Sequence, residues 1–412
     1  MAGLKIITLG CRLNTFESET MRELGRDAGL KDAIVINTCA VTAEAERQAR
    51  QTIRRVARDN PMAKIIVTGC AAQLNPQAFA KLQEVDRVLG NEEKLDAALL
   101  SGDGPSVQVA DIMAVQETAP HLIKGMEGRT RAFVQVQQGC DYRCTYCIIP
   151  FARGPNRSVD ANAVITQVRD LLDAGHNEIV LTGVDICSYS AKGAPNLGSL
   201  VRRILLEVPD LERLRLSSLD PAAIDDKLLD LLSEETRLMP HLHLSLQAMD
   251  DMVLKRMKRR HNRTGALAIV ARARAARPDV VFGADLIAGF PTETNAMFEN
   301  TVTAVRELDL THLHVFPFSP RPGTPAANMP LVNGSVVKAR AARLRSVGDE
   351  GLKRFLDSRA GAMEQVLVEK GRQGLSPHFA LVKLDFDAEL GAIVKARVTA
   401  AGNGFLLASR IA

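Results

Sequence analysis

No run of about 18 apolar residues occurs anywhere in the 412-residue chain, and without one no helix spans a membrane. The amino terminus, Met1 to Gly10, also lacks the basic flank and long apolar stretch of a secretory leader, and it reads as the start of a strand. The compartment these absences imply is the cytoplasm. Structural disulfides are scarce there, so those of the seven cysteines that cluster read as metal ligands or catalytic thiols. There is no internal repeat and no low-complexity segment.

What is present suits a globular enzyme. Hydrophobic residues make up 46% and charged residues 24%, enough to bury real cores, and the length suggests about two to three domains. A formal charge of +4 says little by itself. Its distribution says more: Leu254 to Arg263 holds six Lys/Arg in ten residues, and a second basic segment runs from Lys338 to Arg359. Such stripes suit a phosphate backbone or form a solvated helix face.

Residues 1–100 alternate β-rich runs (Leu4–Thr8, Ala33–Asn37, Lys64–Thr68) with helical patterns (Glu17–Ala28, Ala43–Arg58, Pro76–Gln83). That alternation predicts an open parallel α/β sheet. Residues 101–130, with Gly102, Gly104, Pro105 and Pro120, read as a linker with a strand at Ser106–Val109. A second alternation predicts six βα units, with strands at Ala132–Gln137, Glu178–Thr182, Arg213–Ser217, His241–Leu246, Val281–Ile287 and His312–Phe316. Six units make a partial (β/α) barrel. After a helix at Lys338–Leu356 come short runs at Gln365–Glu369, Ala380–Leu384, Ala392–Thr399 and Phe405–Ala408. These predict a small C-terminal β-barrel. The fold class is therefore α/β with a β-barrel appended.

The cysteines carry the chemistry. Cys140, Cys144 and Cys147 form a CxxxCxxC loop just after the first barrel strand. Three thiolates on one loop can hold three corners of a four-iron cluster and leave the fourth iron open. Structural zinc wants four protein ligands, and no histidine lies near this loop. Cys11, Cys39 and Cys70 are 28 and 31 residues apart, so no short motif finds them. Each follows a predicted parallel strand, and the carboxyl ends of such strands line one edge. Together they can hold a second cluster; the alternative is three thiols packed as small hydrophobes. Cys187 has no partners at matching positions and reads as packing.

With these residues in place the chain resembles the radical S-adenosylmethionine (SAM) methylthiotransferase family over nearly its whole length. The matching stretches are Leu9 to Glu19, Gln138 to Gly154, Leu244 to Met249 with Leu254 to Met257, Asp285 to Pro291, and Phe318 to Pro325. The last piece resembles a TRAM domain, a small RNA-binding β-barrel. The resemblance implies three domains: 1–118 with an auxiliary cluster, a radical-SAM core at 126–357, and a TRAM-like module at 358–412. It implies two 4Fe-4S clusters, on Cys11, Cys39, Cys70 and on Cys140, Cys144, Cys147, with S-adenosylmethionine as radical source and methyl donor. It implies tRNA as substrate, a reduced flavodoxin or ferredoxin-type electron donor and a sulfur donor, and no membrane. The wording of Gly10 to Glu19 and of His314 to Gly323 favours the branch that acts on N6-threonylcarbamoyladenosine at position 37 of tRNA. The other branches act on isopentenyladenosine in tRNA or on a ribosomal-protein aspartate.

By the same resemblance, a deoxyadenosyl radical made at the Cys140 loop takes the hydrogen from carbon 2 of the adenine, and a methylated sulfur held near Cys11 replaces it. Acid–base chemistry does not break such a bond, so no general acid or base is assigned. Asp285 and Gln247, at strand ends facing the cavity, are the candidate cofactor-binding residues, with ordinary polar capping as the other reading. Many radical enzymes carry a Gly-Gly-Glu-type second strand; here it reads Leu181 to Asp185 as Leu-Thr-Gly-Val-Asp. Arg153 and Arg157 follow the cysteine loop and read as anion contacts or surface residues. Asn14 and Glu19 read as supports of the Cys11 loop or as helix caps. Phe379 and Phe386, among basic residues of the last segment, read as stacking faces for RNA.

Overall fold

Five strands lie side by side in chain order, all parallel: β1 (Lys5–Thr8), β2 (Ala33–Thr38), β3 (Lys64–Gly69), β4 (Arg87–Leu89) and β5 (Val107–Gln108). The structure is a computed structural model and describes residues 3–102, 104–118 and 122–411. Met1 and Ala2 of the expected first strand start, Pro120 of the expected linker, and Ala412 lie outside the described residues. Every residue of β2 is buried, as its run Ala-Ile-Val-Ile-Asn-Thr requires of a strand covered on both faces. The register pairs Thr8 with Asn37 and Asn37 with Thr68, so the carboxyl ends of β1, β2 and β3 are level.

Three expectations change here, the first being that the sequence predicts no strand at Arg87–Leu89, where β4 lies. The first helix spans Arg12–Asp27 and begins before Glu17, because Asn14 and Glu17 break the apolar period yet are buried. Their burial is polar, as shown below, and periodicity does not register it. The strand expected within a linker is β5, which completes the edge of this sheet.

Next come β6 (Arg131–Gln135) and two short strands, β7 (Gln137–Gln138) and β8 (Arg157–Ser158), that pair antiparallel. β9 (Glu178–Thr182) and β10 (Arg213–Leu216) join β6 in one parallel sheet. β11 (His241–Gln247), β12 (Val281–Ala288) and β13 (His312–Pro317) form a second. Parallel bridges Leu214–Leu238 and Leu219–Leu244 link the two into one six-stranded partial barrel. All six strands lie where periodicity places them. Closed barrels of this kind are filled by branched apolar side chains. This half-barrel instead turns Glu178, Arg215, His241, His243, Asp285, His312 and His314 inward, where they meet one another.

β14 (Met363–Lys370), β15 (Gln373–Leu375), β16 (Leu381–Leu384), β17 (Ile393–Ala401) and β18 (Leu406–Arg410) close a barrel in the order β14-β15-β16-β18-β17. Within this barrel the strand missed from sequence is β15. It contains Gly374, whose Cβ would stand 2.0 Å from the Leu367 carbonyl oxygen, so a side chain there would prevent the pairing with β14.

This barrel docks on the amino ends of the half-barrel strands. Arg213 donates to the carbonyls of Gln365 (2.6 Å) and Leu375 (3.3 Å), and Arg215 donates to that of Pro377 (3.1 Å). Phe379 projects from the barrel onto His241, stacked at 5.0 Å and 13°, with Arg215 5.1 Å from its ring. Phe379 therefore seals the base of the half-barrel and is not an RNA-stacking face. The aromatic rings next to exposed basic side chains are Phe405, under Lys383 at 3.6 Å, and Phe386, under Arg410 at 4.9 Å.

Candidate functional site

All six motif cysteines, together with Asp285 and Gln247, line a single cavity of about 430 Å³ between the N-terminal sheet and the carboxyl ends of the half-barrel strands. Two glycines bring the first three thiols there. Gly10 has φ +105°, and a Cβ on it would lie 2.8 Å from the Cys39 Cβ. Gly69 has φ +93°, and a Cβ there would lie 2.4 Å from the Thr38 carbonyl oxygen. Each thus needs the left-handed conformation and the bare backbone that glycine supplies.

A buried polar network stands behind these thiols. Arg153, 2% exposed, donates from Nε to Cys70 Sγ at 3.1 Å, and pairs with Glu17 through both terminal nitrogens. Glu17 also takes the Lys94 ammonium at 2.6 Å. Asn14 Oδ1 accepts from Arg153 at 2.5 Å, and Asn14 Nδ2 donates to the carbonyls of Leu9 (2.8 Å) and Thr38 (3.0 Å), which fixes the Cys11 and Cys39 turns. Burial works against the Glu17 charge, but Arg153 and Lys94 overcome it and hold the carboxyl at about 2. The network counts two cations against one carboxylate.

The second triplet is positioned by different elements. Thr145 donates from its hydroxyl to the Arg256 carbonyl (2.8 Å) and from its backbone to that of Met257 (3.1 Å). Arg259 donates to Cys144 Sγ at 3.7 Å and to the Ser245 carbonyl at 2.8 Å. Burial pushes the thiols of Cys39 and Cys140 up to about 12 and that of Cys147 to about 11. Left bare they stay protonated at neutral pH, so a bound metal would have to drive their ionisation.

The donor set fits iron–sulfur clusters better than zinc. All the cysteines are free thiols. Among the described residues, no three cysteine sulfurs lie within 4.8 Å of one another. Two thiolates on one zinc, at about 2.3 Å each, stand no more than roughly 4.6 Å apart. Thiolates on three separate irons stand wider.

Asp285 Oδ1 meets His243 Nε2 at 3.1 Å and His314 Nδ1 at 3.2 Å. Burial opposes its charge, yet these two hydrogen bonds hold the carboxyl well below the usual carboxylate range. Cys187 packs against the half-barrel core, apart from both triplets.

A family profile described as "Radical SAM superfamily" matches residues 134–305, and one described as "Uncharacterized protein family UPF0004" matches residues 4–90. The chain is 47% identical over 404 residues to the threonylcarbamoyladenosine tRNA methylthiotransferase MtaB of Rickettsia prowazekii, covering 98% of this chain and 96% of that one. This chain belongs to the radical SAM methylthiotransferase family. The MtaB of Aquifex aeolicus is 34% identical, with 94% and 98% covered. A tRNA-2-methylthio-N(6)-dimethylallyladenosine synthase of Erythrobacter litoralis is also 34% identical, with 97% and 95% covered. Among solved structures, the radical S-adenosylmethionine methyltransferase TsrM of Kitasatospora setae shares the fold with a TM-score of 0.58 at 16% identity, over 79% of this chain and 77% of that one. Radical SAM membership implies S-adenosylmethionine and a 4Fe-4S cluster.

Several residues of this methylthiotransferase take roles that their local sequence does not show. Arg153 and Arg157 are 2% and 4% exposed, so a surface role for either is excluded; Arg157 pairs with Glu92 at 3.2 Å. Arg259 sat unnoticed in the basic run from Leu254 to Arg263. That run is largely spent within the fold: Arg256 meets the Thr292 carbonyl, Arg260 meets Asp220, and Arg263 meets Glu307. The second basic segment is similarly engaged, through Arg340 with Glu293 and Arg343 with Glu299. Glu17 and Lys94 could not be paired from a sequence in which they stand far apart. Glu19 pairs with Arg22 on its own helix.

Proposed function

We propose that this chain methylthiolates carbon 2 of N6-threonylcarbamoyladenosine at position 37 of tRNA. The observation that carries the reading is the opening of both cysteine triplets, from separate sheets, into one cavity. One triplet alone would suit cleavage of S-adenosylmethionine; two facing each other suit removal of a hydrogen and delivery of sulfur to the same carbon.

In this reading Cys140, Cys144 and Cys147 hold one 4Fe-4S cluster and Cys11, Cys39 and Cys70 hold another. Bound there, the clusters and S-adenosylmethionine supply the radical, the sulfur and the methyl group. The chain positions and shields. Arg259 steadies the Cys144 side of one site and Arg153 the Cys70 side of the other, each donating to sulfur. Asp285 and Gln247 face the cofactor or the substrate from the strand ends. We assign 1–118 to the auxiliary-cluster domain, 126–357 to the radical-SAM core and 358–412 to the RNA-binding module. The enzyme then works in the cytoplasm with a flavodoxin or ferredoxin-type electron donor and a separate sulfur donor.

Mass spectrometry of bulk tRNA nucleosides, with and without the gene, tests this. The methylthio form of threonylcarbamoyladenosine should vanish on deletion, with its precursor accumulating. Loss of the methylthio-isopentenyl nucleoside instead, or unchanged tRNA beside an altered ribosomal protein, would overturn the substrate assignment.

A further inference from the structure

Below the cysteine cavity the half-barrel interior is polar, and its charges can be counted. Arg213 and Arg215 share Glu178, at 3.4 and 2.9 Å. Arg131 has Glu369 at 2.8 Å. Asp285 is taken by His243 and His314. Arg12 remains. Its guanidinium is half-buried and has no hydrogen bond or ion pair among the described residues; the Phe379 ring, 5.9 Å away, is the group it faces. The charges of Arg131 and Arg215 push against it, and Glu178 and Asp285 act on it only through space. A guanidinium drawn from water without an anion is costly, whereas one that meets a carboxylate there gains a strong, geometrically specific interaction.

The position of Arg12 narrows the choice of anion. It directly follows Cys11, so its backbone stands at the cavity while its side chain reaches the floor formed by Phe379 and His241. On the same inner face the His243 ring packs on Gly283, where a Cβ would lie 2.4 Å from it, and Asp285, two residues further on, opens to the cavity. A tRNA phosphate, fixed to the outside of a bulky chain, does not suit so enclosed a place. A small acid carried on the target base does.

We infer that the half-barrel interior seats the threonylcarbamoyl group of the substrate, with Arg12 pairing its carboxylate and Asp285 accepting from its hydroxyl or urea N–H. The inference rests on the substrate reading above and deepens it. It also supplies a basis for specificity: an apolar prenyl group in the same place would leave Arg12 unpaired, and sites built for a polar group reject analogues that lack it.

The test is a chemical double-mutant cycle on anticodon stem-loop RNAs. One RNA carries N6-threonylcarbamoyladenosine; the other carries its primary amide, of the same shape but neutral. Affinities are measured by fluorescence anisotropy on anaerobically reconstituted protein. Wild type should bind the acid about 30-fold more tightly than the amide, Arg12→Gln should bring the ratio to roughly one, and Arg12→Lys should restore part of it. Because the readout is a ratio within each protein, a disturbance of the neighbouring Cys11 turn cancels. If Arg12→Gln does not fold, wild type and Arg12→Lys still decide: equal affinity of wild type for acid and amide overturns the inference. An unchanged ratio in Arg12→Gln also overturns it. Product analysis on the same RNAs separates the two levels. Methylthiolation of acid and amide alike, with equal affinities, removes only the role of Arg12; no methylthiolation of the acid removes the substrate reading as well.

Discussion

The Nε of Arg153 lies 3.1 Å from the Sγ of Cys70, although Arg153 belongs to the segment after the CxxxCxxC loop and Cys70 to the end of β3. One side chain thus ties the two cysteine sites together, and it does so from a buried pair with Glu17.

Replacing Arg153 by Gln should therefore act on the first triplet more than on the second. It leaves Glu17 and Lys94 as a lone pair and removes the cation beside Cys70. Breaking a buried pair typically costs about 3–5 kcal/mol. The expected result is a lower unfolding temperature and loss of up to about four of about eight irons after reconstitution. Full iron content with an unchanged melting curve would refute this.

Glu17 gives the protein a pH signature. Its folded pKa of about 2 lies below its ordinary 4.5. The unfolded state therefore binds the extra proton first, so this contribution is complete above about 4.5 and is lost as pH falls toward 2. Urea unfolding of the apo-protein across that range should show stability falling with acid. Glu17→Gln should be less stable at neutral pH and show a shallower fall.

The two triplets should separate in function. Changing Cys140, Cys144 and Cys147 to Ala should halve the iron and abolish deoxyadenosine formation. Changing Cys11, Cys39 and Cys70 to Ala should also halve the iron, while deoxyadenosine still forms and no methylthio product appears. Methylthio product from the second variant, measured by mass spectrometry, would show that those thiols are dispensable.

Cys187→Ala should keep both clusters. Its sulfur packs against the core, so the change should cost about 1–2 kcal/mol. Iron analysis showing a loss in this single variant would contradict its separation from the metal sites.

The C-terminal barrel should prove to have two separable roles. Removing residues 358–412 would strip the carbonyl partners from buried Arg213 and Arg215, so the truncated core should be unstable rather than merely weak in RNA binding. Charge substitutions on the exposed face, Lys383→Ala with Lys395→Ala, should instead leave the melting temperature unchanged. They should weaken tRNA binding and reduce its salt slope by roughly one unit for each phosphate that is no longer neutralised. Unaltered slopes would leave the barrel as a structural cap alone.

By itself the sequence determined the strand–helix alternation, the half-barrel strands and the six thiols. Each of these is written locally, in hydrophobic periodicity, in the CxxxCxxC spacing, or in the recurrence of a cysteine just after a strand. It could not register β15, whose Gly374 carries no apolar signal, or the early start of the first helix, whose inner residues Asn14 and Glu17 are polar. Only the tertiary structure decided that Arg153 is buried rather than exposed, that Phe379 faces the half-barrel rather than RNA, and that Arg12 is left without an anion. The reason is physical. A charge or an aromatic ring takes its role from whichever groups share its low-dielectric surroundings, and those groups come from segments far apart in the chain, so no local pattern records them.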